Sequence, residues 1–208
     1  FWRQAGIAAP RTQPSHMTMT ATDIALFRQP FIFMRHGESE ANLADTMAGS
    51  LDVALTARGH AQAQAAAALL KDSGISAIYS SRLSRARDTA AYAAAVLNLP
   101  VNEIAALGER NWGEVEGKPR AQVRRDVTPP GGETPQQFAE RVLRGCAQID
   151  ARGLPLLVAH SGVFRVLCRT LGLHEPDQPY FNAAPTRIEP ASGGGWQITP
   201  MGGARPPL

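Results

Sequence analysis

The sequence predicts a three-layer α/β/α fold, with a mostly parallel central sheet and helices on both faces. Three features of the 208 residues carry that expectation. Compact apolar runs at 31–36 and 154–159 are too short for helices and read as buried strands. A helical stretch follows each strand that lies before residue 101 and also the strand at 154–159. Strands and helices alternate as β-α-β-α and later as α-β-α-β, the order that covers a parallel sheet on both sides.

The elements follow in order along the chain. Residues 1–29 carry no clear pattern and read as an N-terminal tail. FWRQAGIAAP lacks an apolar core after its basic start, so it makes a poor signal peptide. PSHM at 14–17 is expected to be an expression scar, with Met17 or Met19 as the natural start. Residues 30–208 read as one domain. FIFMRH at 31–36 is rich in β formers and predicts the first strand. A polar loop runs to Ala54. Thr56 is placed to cap a long alanine-rich helix ending at Gly74. Residues 76–80 predict the second strand, 82–97 the second helix and 101–107 a short strand. Residues 108–133 are polar and rich in Gly, Pro and Arg. Thr134 opens a capping box, with Pro135 at the first helical position and Gln137 at the third. That helix is expected to reach Asp150. LPLLVA at 154–159 reads as the most buried strand, and Ser161 or Gly162 starts a helix to Leu171. TRIEP and WQIT flank Gly193–Gly195 as a terminal hairpin.

Composition narrows the function. Two cysteines, Cys146 and Cys168, exclude a disulfide scaffold and a Cys-rich zinc module. They suit a reducing compartment, and a cytoplasmic location is expected. The apolar runs fall far short of a spanning helix, so no membrane partner is expected. A net charge of +3 is too small to argue for nucleic acid. The basic excess is local: Arg82, Arg85 and Arg87, then Lys118, Arg120, Arg124 and Arg125. Anionic small molecules fit as ligands, although two solvated helix faces would look the same. No sequence feature speaks to oligomeric state.

Ligand sites in open α/β sheets lie at the carboxyl ends of strands. The first strand ends in Arg35-His36-Gly37-Glu38-Ser39, and the strand at 154–159 ends in His160-Ser161-Gly162. The second ends near Arg82 and Arg85. Two histidines and several arginines therefore converge on one rim. Guanidinium forks pair with phosphate oxygens, helix N-termini add partial positive charge, and a neutral imidazole can attack phosphorus. Other chemistries fit less well. Cys146 and Arg152 have the spacing of a cysteine-phosphatase loop, but no glycine lies between them and the strand-helix order is wrong. Gly113–Lys118 is one residue short of a P-loop. A metal site of His36, His160 and Glu38 would set a cation against Arg35 and Arg85. His60 and His174 read as surface residues.

The motifs also carry a resemblance. Arg35-His36-Gly37-Glu38-Ser39 with Asn42 resembles the opening signature of the histidine phosphatase superfamily, also called phosphoglycerate-mutase-like. Leu55-Thr56 with Gly59 and Gln62-Ala63 continues the match. So do Ser80-Ser81 with Leu83, Arg85-Ala86 and Thr89-Ala90. Leu107, Glu109-Arg110 and Trp112-Gly113, then Gly131–Thr134, then Val158–Gly162 complete six blocks in family order over about 31–165. The resemblance implies that His36 is the nucleophile of a phosphohistidine mechanism. It implies that Arg35, Arg85 and His160 hold the phosphoryl oxygens, with Asn42 and Ser161 also contacting substrate. It implies that Glu109 protonates the leaving oxygen and then takes a proton from water. No metal or other cofactor is implied, because arginines supply the positive charge.

Within that family the expected activity is hydrolysis of a small phosphorylated metabolite. Mutases of this kind carry a long insertion between the acid and the second histidine, whereas 51 residues separate Glu109 from His160. Ala41 stands where mutases usually have Trp, Ala48 where they have a hydroxyl residue, and His160-Ser161-Gly162 where they have His-Gly-Asn. Each change removes a contact that would retain a phosphorylated intermediate. The alternatives are phosphoglycerate-mutase-type transfer and a non-catalytic phosphate-binding module. The 108–133 loop and residues 180–188 are expected to set the organic part of the substrate. Arg120, Arg124 and Arg125 are candidates for a second phosphate, and Trp112 for a sugar or ring contact.

Overall fold

The structure, a computed structural model, describes residues 21–124, 126–174 and 181–202. PSHM and both candidate start residues lie outside them. The strands are β1 (Phe31–Arg35), β2 (Ile75–Ser80), β3 (Val101–Glu103), β4 (Leu154–Ala159), β5 (Thr186–Pro190) and β6 (Trp196–Pro200). The helices are α1 (Glu40–Leu43), α2 (Ala57–Leu70), α3 (Ser84–Leu97), α4 (Pro135–Cys146) and α5 (Ser161–Thr170). They build one six-stranded sheet in the order β3-β2-β4-β1-β5-β6. The first four strands run parallel, and the β5-β6 hairpin joins β1 antiparallel.

Side chains alternate across a strand, and this sorts the core into two layers. Phe31, Phe33, Leu157 and Ala159 pack with Phe138, Val142, Val163 and Phe164 of α4 and α5. Ile32, Met34, Leu156 and Val158 pack with Ala66, Leu70, Ala90 and Ala93 of α2 and α3. Small side chains on α2 and α3 let the two helices and the sheet approach closely. Thr134 and Gln137 form the expected capping box, with Pro135 at the helix start.

Several expectations are corrected. The tail does not extend to residue 29: residues 21–28 form two 3-10 turns. Ile24, Leu26 and Phe27 are buried and join the α4/α5 layer, because their apolar surface is removed from water there. The 37–54 segment is not all loop. Ser39 accepts the Asn42 backbone N–H while the Asn42 side chain accepts the Ser39 N–H, and this capping box nucleates α1. α2 stops at Leu70 rather than at Gly74. The 101–107 segment pairs with β2 only over 101–103, then closes as a 3-10 turn that buries Leu107. α4 ends at Cys146 rather than Asp150.

Register brings the site together. Arg35 pairs with Ala159, and Ser80 pairs with Val158. The ends of β1, β2 and β4 therefore meet, and the residues that follow them share one rim.

Candidate active site

A cleft of about 350 Å³ opens at that rim. Arg35, His36, Asn42, Arg85, Glu109 and Ser161 all line it. These are six of the seven residues singled out in the sequence. The seventh, His160, lies fully buried behind the wall, its ring centroid 5.2 Å from that of His36. One of its ring nitrogens, Nε2, is 2.7 Å from the Ser81 hydroxyl, and its Nδ1 is buried without a hydrogen bond.

His36 is held at three points. Its backbone N–H donates to Ala159 at 3.0 Å. Its carbonyl accepts the Asn182 amide at 2.8 Å. Its Nδ1 lies 2.6 Å from the Gly37 carbonyl. A carbonyl only accepts, so Nδ1 carries the proton and Nε2 keeps its lone pair. Burial, then the charges of Arg35 and Arg85, hold this imidazole well below the usual histidine range. It is therefore neutral at pH 7. His160 is depressed likewise, first by burial and then by Arg85. Gly37 lies directly against α2, where an added Cβ would overlap the Gly59 carbonyl oxygen and stand 3.0 Å from its carbon. That contact seats the α2 N-terminus beneath the His36 turn.

Arg85 donates to the carbonyls of Leu51 and Gly49, each at 2.8 Å. Its position on α3 is set through Thr89, whose hydroxyl donates to the Arg85 carbonyl and accepts the Gly37 N–H. Burial, with Arg120 nearby, pushes Arg35 down to about 10, still charged at neutral pH. The Asn42 carbonyl oxygen accepts from Ser39 and Asn182, so its NH₂ group is left for the cleft.

Glu109 sits where α5 begins. One carboxylate oxygen accepts the Gly162 N–H at 3.0 Å and the other accepts the Arg110 N–H at 2.9 Å. Its loop is clamped by Arg141, which donates to the carbonyls of Ala106, Gly108 and Glu109 and forks onto Glu133 at 2.7 Å. A neutral imidazole, two buried guanidiniums and a carboxylate thus gather at one cleft, groups that phosphoryl transfer through nitrogen can use.

Residues 31–201 match the model of the histidine phosphatase superfamily, branch 1. The chain belongs to that superfamily. Among curated relatives it is 31% identical over 151 residues to a Bacillus subtilis protein described as the uncharacterized phosphatase PhoE. That match covers 69% of this chain and 78% of the relative. It is 32% identical over 169 residues to a Gloeobacter violaceus 2,3-bisphosphoglycerate-dependent phosphoglycerate mutase, covering 71% and 77%. Among solved structures it resembles the mycobacterial glucosyl-3-phosphoglycerate phosphatase, with TM-score 0.70 and 27% identity over 85% of this chain and 100% of the other. It also resembles the α-ribazole phosphatase of Shigella flexneri, with TM-score 0.71 and 26% identity over 83% and 95%. Superfamily membership thus spans phosphatases and mutases.

Other residues at or beside the cleft were not named individually from the sequence. Asn182 comes from the segment before β5 and ties His36 to Asn42. Arg165 and Arg169 line the cleft from α5; their spacing of four from Ser161 was the available signal. Of the two basic clusters, Arg85 and Arg120 reach the cleft. Arg87 lies beside Asp88, Arg124 pairs with Asp126 at 2.6 Å, and Arg125 is outside the described residues. Trp112 lines the cleft, with the Arg110 guanidinium 4.1 Å above its ring. Glu38 faces Thr56 and Arg58 instead. Cys146 is fully buried in α4, where desolvation pushes its thiol up to about 12. Among the described residues, no helix is long and apolar enough to cross a membrane.

Proposed function

We propose that the protein is a metal-independent phosphomonoester hydrolase acting through a phosphohistidine on His36. The observation that carries this reading is the Nδ1 contact with the Gly37 carbonyl, which leaves Nε2 as an unprotonated nucleophile in a cationic cleft. In the first step the Nε2 lone pair attacks phosphorus and the phosphorus–oxygen ester bond breaks. Glu109 gives its proton to the departing alkoxide. In the second step water attacks phosphorus, its proton passes to Glu109, and the nitrogen–phosphorus bond breaks to release inorganic phosphate. Arg35, Arg85 and Asn42 hold the phosphoryl oxygens, with Ser161 at the rim. His160 packs beside His36 with its Nδ1 without a hydrogen bond, and completes the phosphoryl pocket. Hydrolysis is favoured over mutase transfer because Ala48, in the cleft wall, offers no hydroxyl to retain an intermediate.

The test is trapping. Enzyme incubated with ³²P-labelled ester and then quenched in base should carry acid-labile, base-stable label on the peptide spanning 31–42. His36→Ala should remove both label and turnover of p-nitrophenyl phosphate, while EDTA should change neither. Label elsewhere, or full activity in His36→Ala, would overturn the assignment.

A further inference from the structure

Both histidines of the site are neutral rings, yet each is tied at a different nitrogen. His36 gives its Nδ1 proton to the Gly37 carbonyl and keeps a lone pair on Nε2. His160 is held at Nε2, which meets the Ser81 hydroxyl at 2.7 Å. Its Nδ1 has no hydrogen-bond partner although the whole residue is buried. A hydroxyl can donate or accept, so this contact fits two tautomers of His160 with opposite consequences at Nδ1.

The surroundings of Ser81 decide between them. Ser81 follows β2 and is fully buried, and its backbone N–H donates to the Val158 carbonyl at 3.3 Å. Its Oγ accepts the Leu83 N–H at 3.3 Å. Among the described residues, Leu83 and His160 are the two partners of that hydroxyl. If Nε2 carried the ring proton, the hydroxyl would accept twice. Its own proton and the Nδ1 lone pair would then both be buried without partners. If the hydroxyl donates to Nε2, the Nδ1–H alone is left over. Each buried polar group without a partner costs free energy, so the second arrangement is favoured. The doubly protonated ring is disfavoured by burial and by the charge of Arg85.

We infer that Ser81 is a positioning residue of the reaction: its hydroxyl donates to His160 Nε2 and so holds Nδ1–H as a hydrogen-bond donor to the transferring phosphoryl group. This inference rests on the hydrolase reading above, in which His160 completes the phosphoryl pocket. The partner of one ring nitrogen sets the state of the other. Ionised phosphoryl oxygens are acceptors, so a lone pair at Nδ1 would repel them, whereas an N–H there is satisfied by them. Leu83, whose N–H occupies the Ser81 oxygen, is also the N-cap of α3, the helix that carries Arg85. One hydroxyl thus links the His160 ring to the start of the helix that supplies a guanidinium to the same pocket.

Nitrogen-detected NMR on histidine-labelled protein, assigned through backbone connectivities, reads the tautomer without any variant. His160 should show an unprotonated Nε2 and a protonated Nδ1, and inorganic phosphate should shift the Nδ1 signal. A protonated Nε2 overturns the inference and leaves the hydrolase standing, and so does a Nδ1 signal that saturating phosphate does not move. Turnover gives the second reading. With p-nitrophenyl phosphate, Ser81→Ala should lower kcat/KM about 10-fold or more, the size expected of a hydrogen bond to a charged group. In a His160→Ala background the same replacement should lower it by less than about 2-fold, because Ser81 acts through the ring. Equal losses in the two backgrounds would make Ser81 a merely structural residue and overturn the inference, as would full activity in Ser81→Ala. Failure of the wild-type protein to hydrolyse any ester overturns the hydrolase reading instead. Calorimetric binding of inorganic phosphate then tests the contact, and an affinity that Ser81→Ala leaves unchanged overturns it.

Discussion

Replacing Gly162 by alanine tests the acid more sharply than removing the acid does. Gly162 sits in the first turn of α5, and its N–H donates to the Glu109 carboxylate at 3.0 Å. An added Cβ would overlap Glu109 Oε1, stand 3.0 Å from its carboxyl carbon and meet the Phe138 ring at 3.1 Å. Phe138 is buried in the core and gives little ground. The carboxylate must therefore move by about 1 Å, a displacement that can cost ~10²-fold when a catalytic group is involved. A general acid is worth ~10²–10⁴-fold in all, so Gly162→Ala should lose much of that benefit with Glu109 chemically intact. The loss should depend on the leaving group. With glycerol 1-phosphate, whose alkoxide needs a proton, kcat should fall about 30- to 100-fold. With p-nitrophenyl phosphate the first turnover should fall by less than about 5-fold, because nitrophenolate leaves without help. A rapid-quench burst with the aryl ester, beside steady-state rates with the alkyl ester, separates the two. Alanine also favours the helix by up to about 1 kcal/mol over glycine, so a large fall in melting temperature is not expected. Equal losses for both esters would remove Glu109 from the role of acid. An unaltered enzyme would refute the packing argument itself.

Arg141→Ala should destabilise the fold by about 2–4 kcal/mol in urea denaturation, because it strips three carbonyls of their donor and leaves Glu133 unpaired in a partly buried place. Arg141→Lys should recover only part of that, since an ammonium cannot fork onto the carboxylate, and full recovery would count against the clamp. The imidazoles of His36 and His160 should stay neutral at pH 5.5, each with one protonated and one unprotonated ring nitrogen by nitrogen-detected NMR. A titration midpoint near 6.5 for either would contradict their burial. Because their folded values are depressed, the unfolded chain binds more protons once pH falls below about 6.5, so melting temperature should drop from pH 7 to pH 5. His36→Asn should flatten that slope. Cys146→Ser should keep its activity while losing about 1–3 kcal/mol of stability, since it puts a hydroxyl into an apolar site. Abolished turnover in a folded Cys146→Ser protein would revive a thiolate mechanism.

What the sequence determined by itself was local. The 31–36 and 154–159 runs were legible as strands because an apolar segment too short for a helix has little else to become. Thr134, Pro135 and Gln137 announced α4 because a capping box is a four-residue motif. Placing ligands at strand ends then put His36, Arg85 and His160 on one rim without any coordinates. Tertiary structure alone decided the rest. The insertion of β4 between β2 and β1 follows from pairing across about 80 residues to β2 and more than a hundred to β1, which leaves no mark on any of the strands. Asn182 reaches His36 across 146 residues, and nothing near it in the chain foretells that bond. Ile24, Leu26 and Phe27 lack a clean period of two or 3.6, yet the α4/α5 layer buries them. Arg110, Arg120, Arg165 and Arg169 are ordinary polar-segment or helix arginines until the fold turns them into one cleft. Periodicity and capping act over a turn or a few residues, whereas the shape and charge of a cleft come from segments that the chain must first bring together.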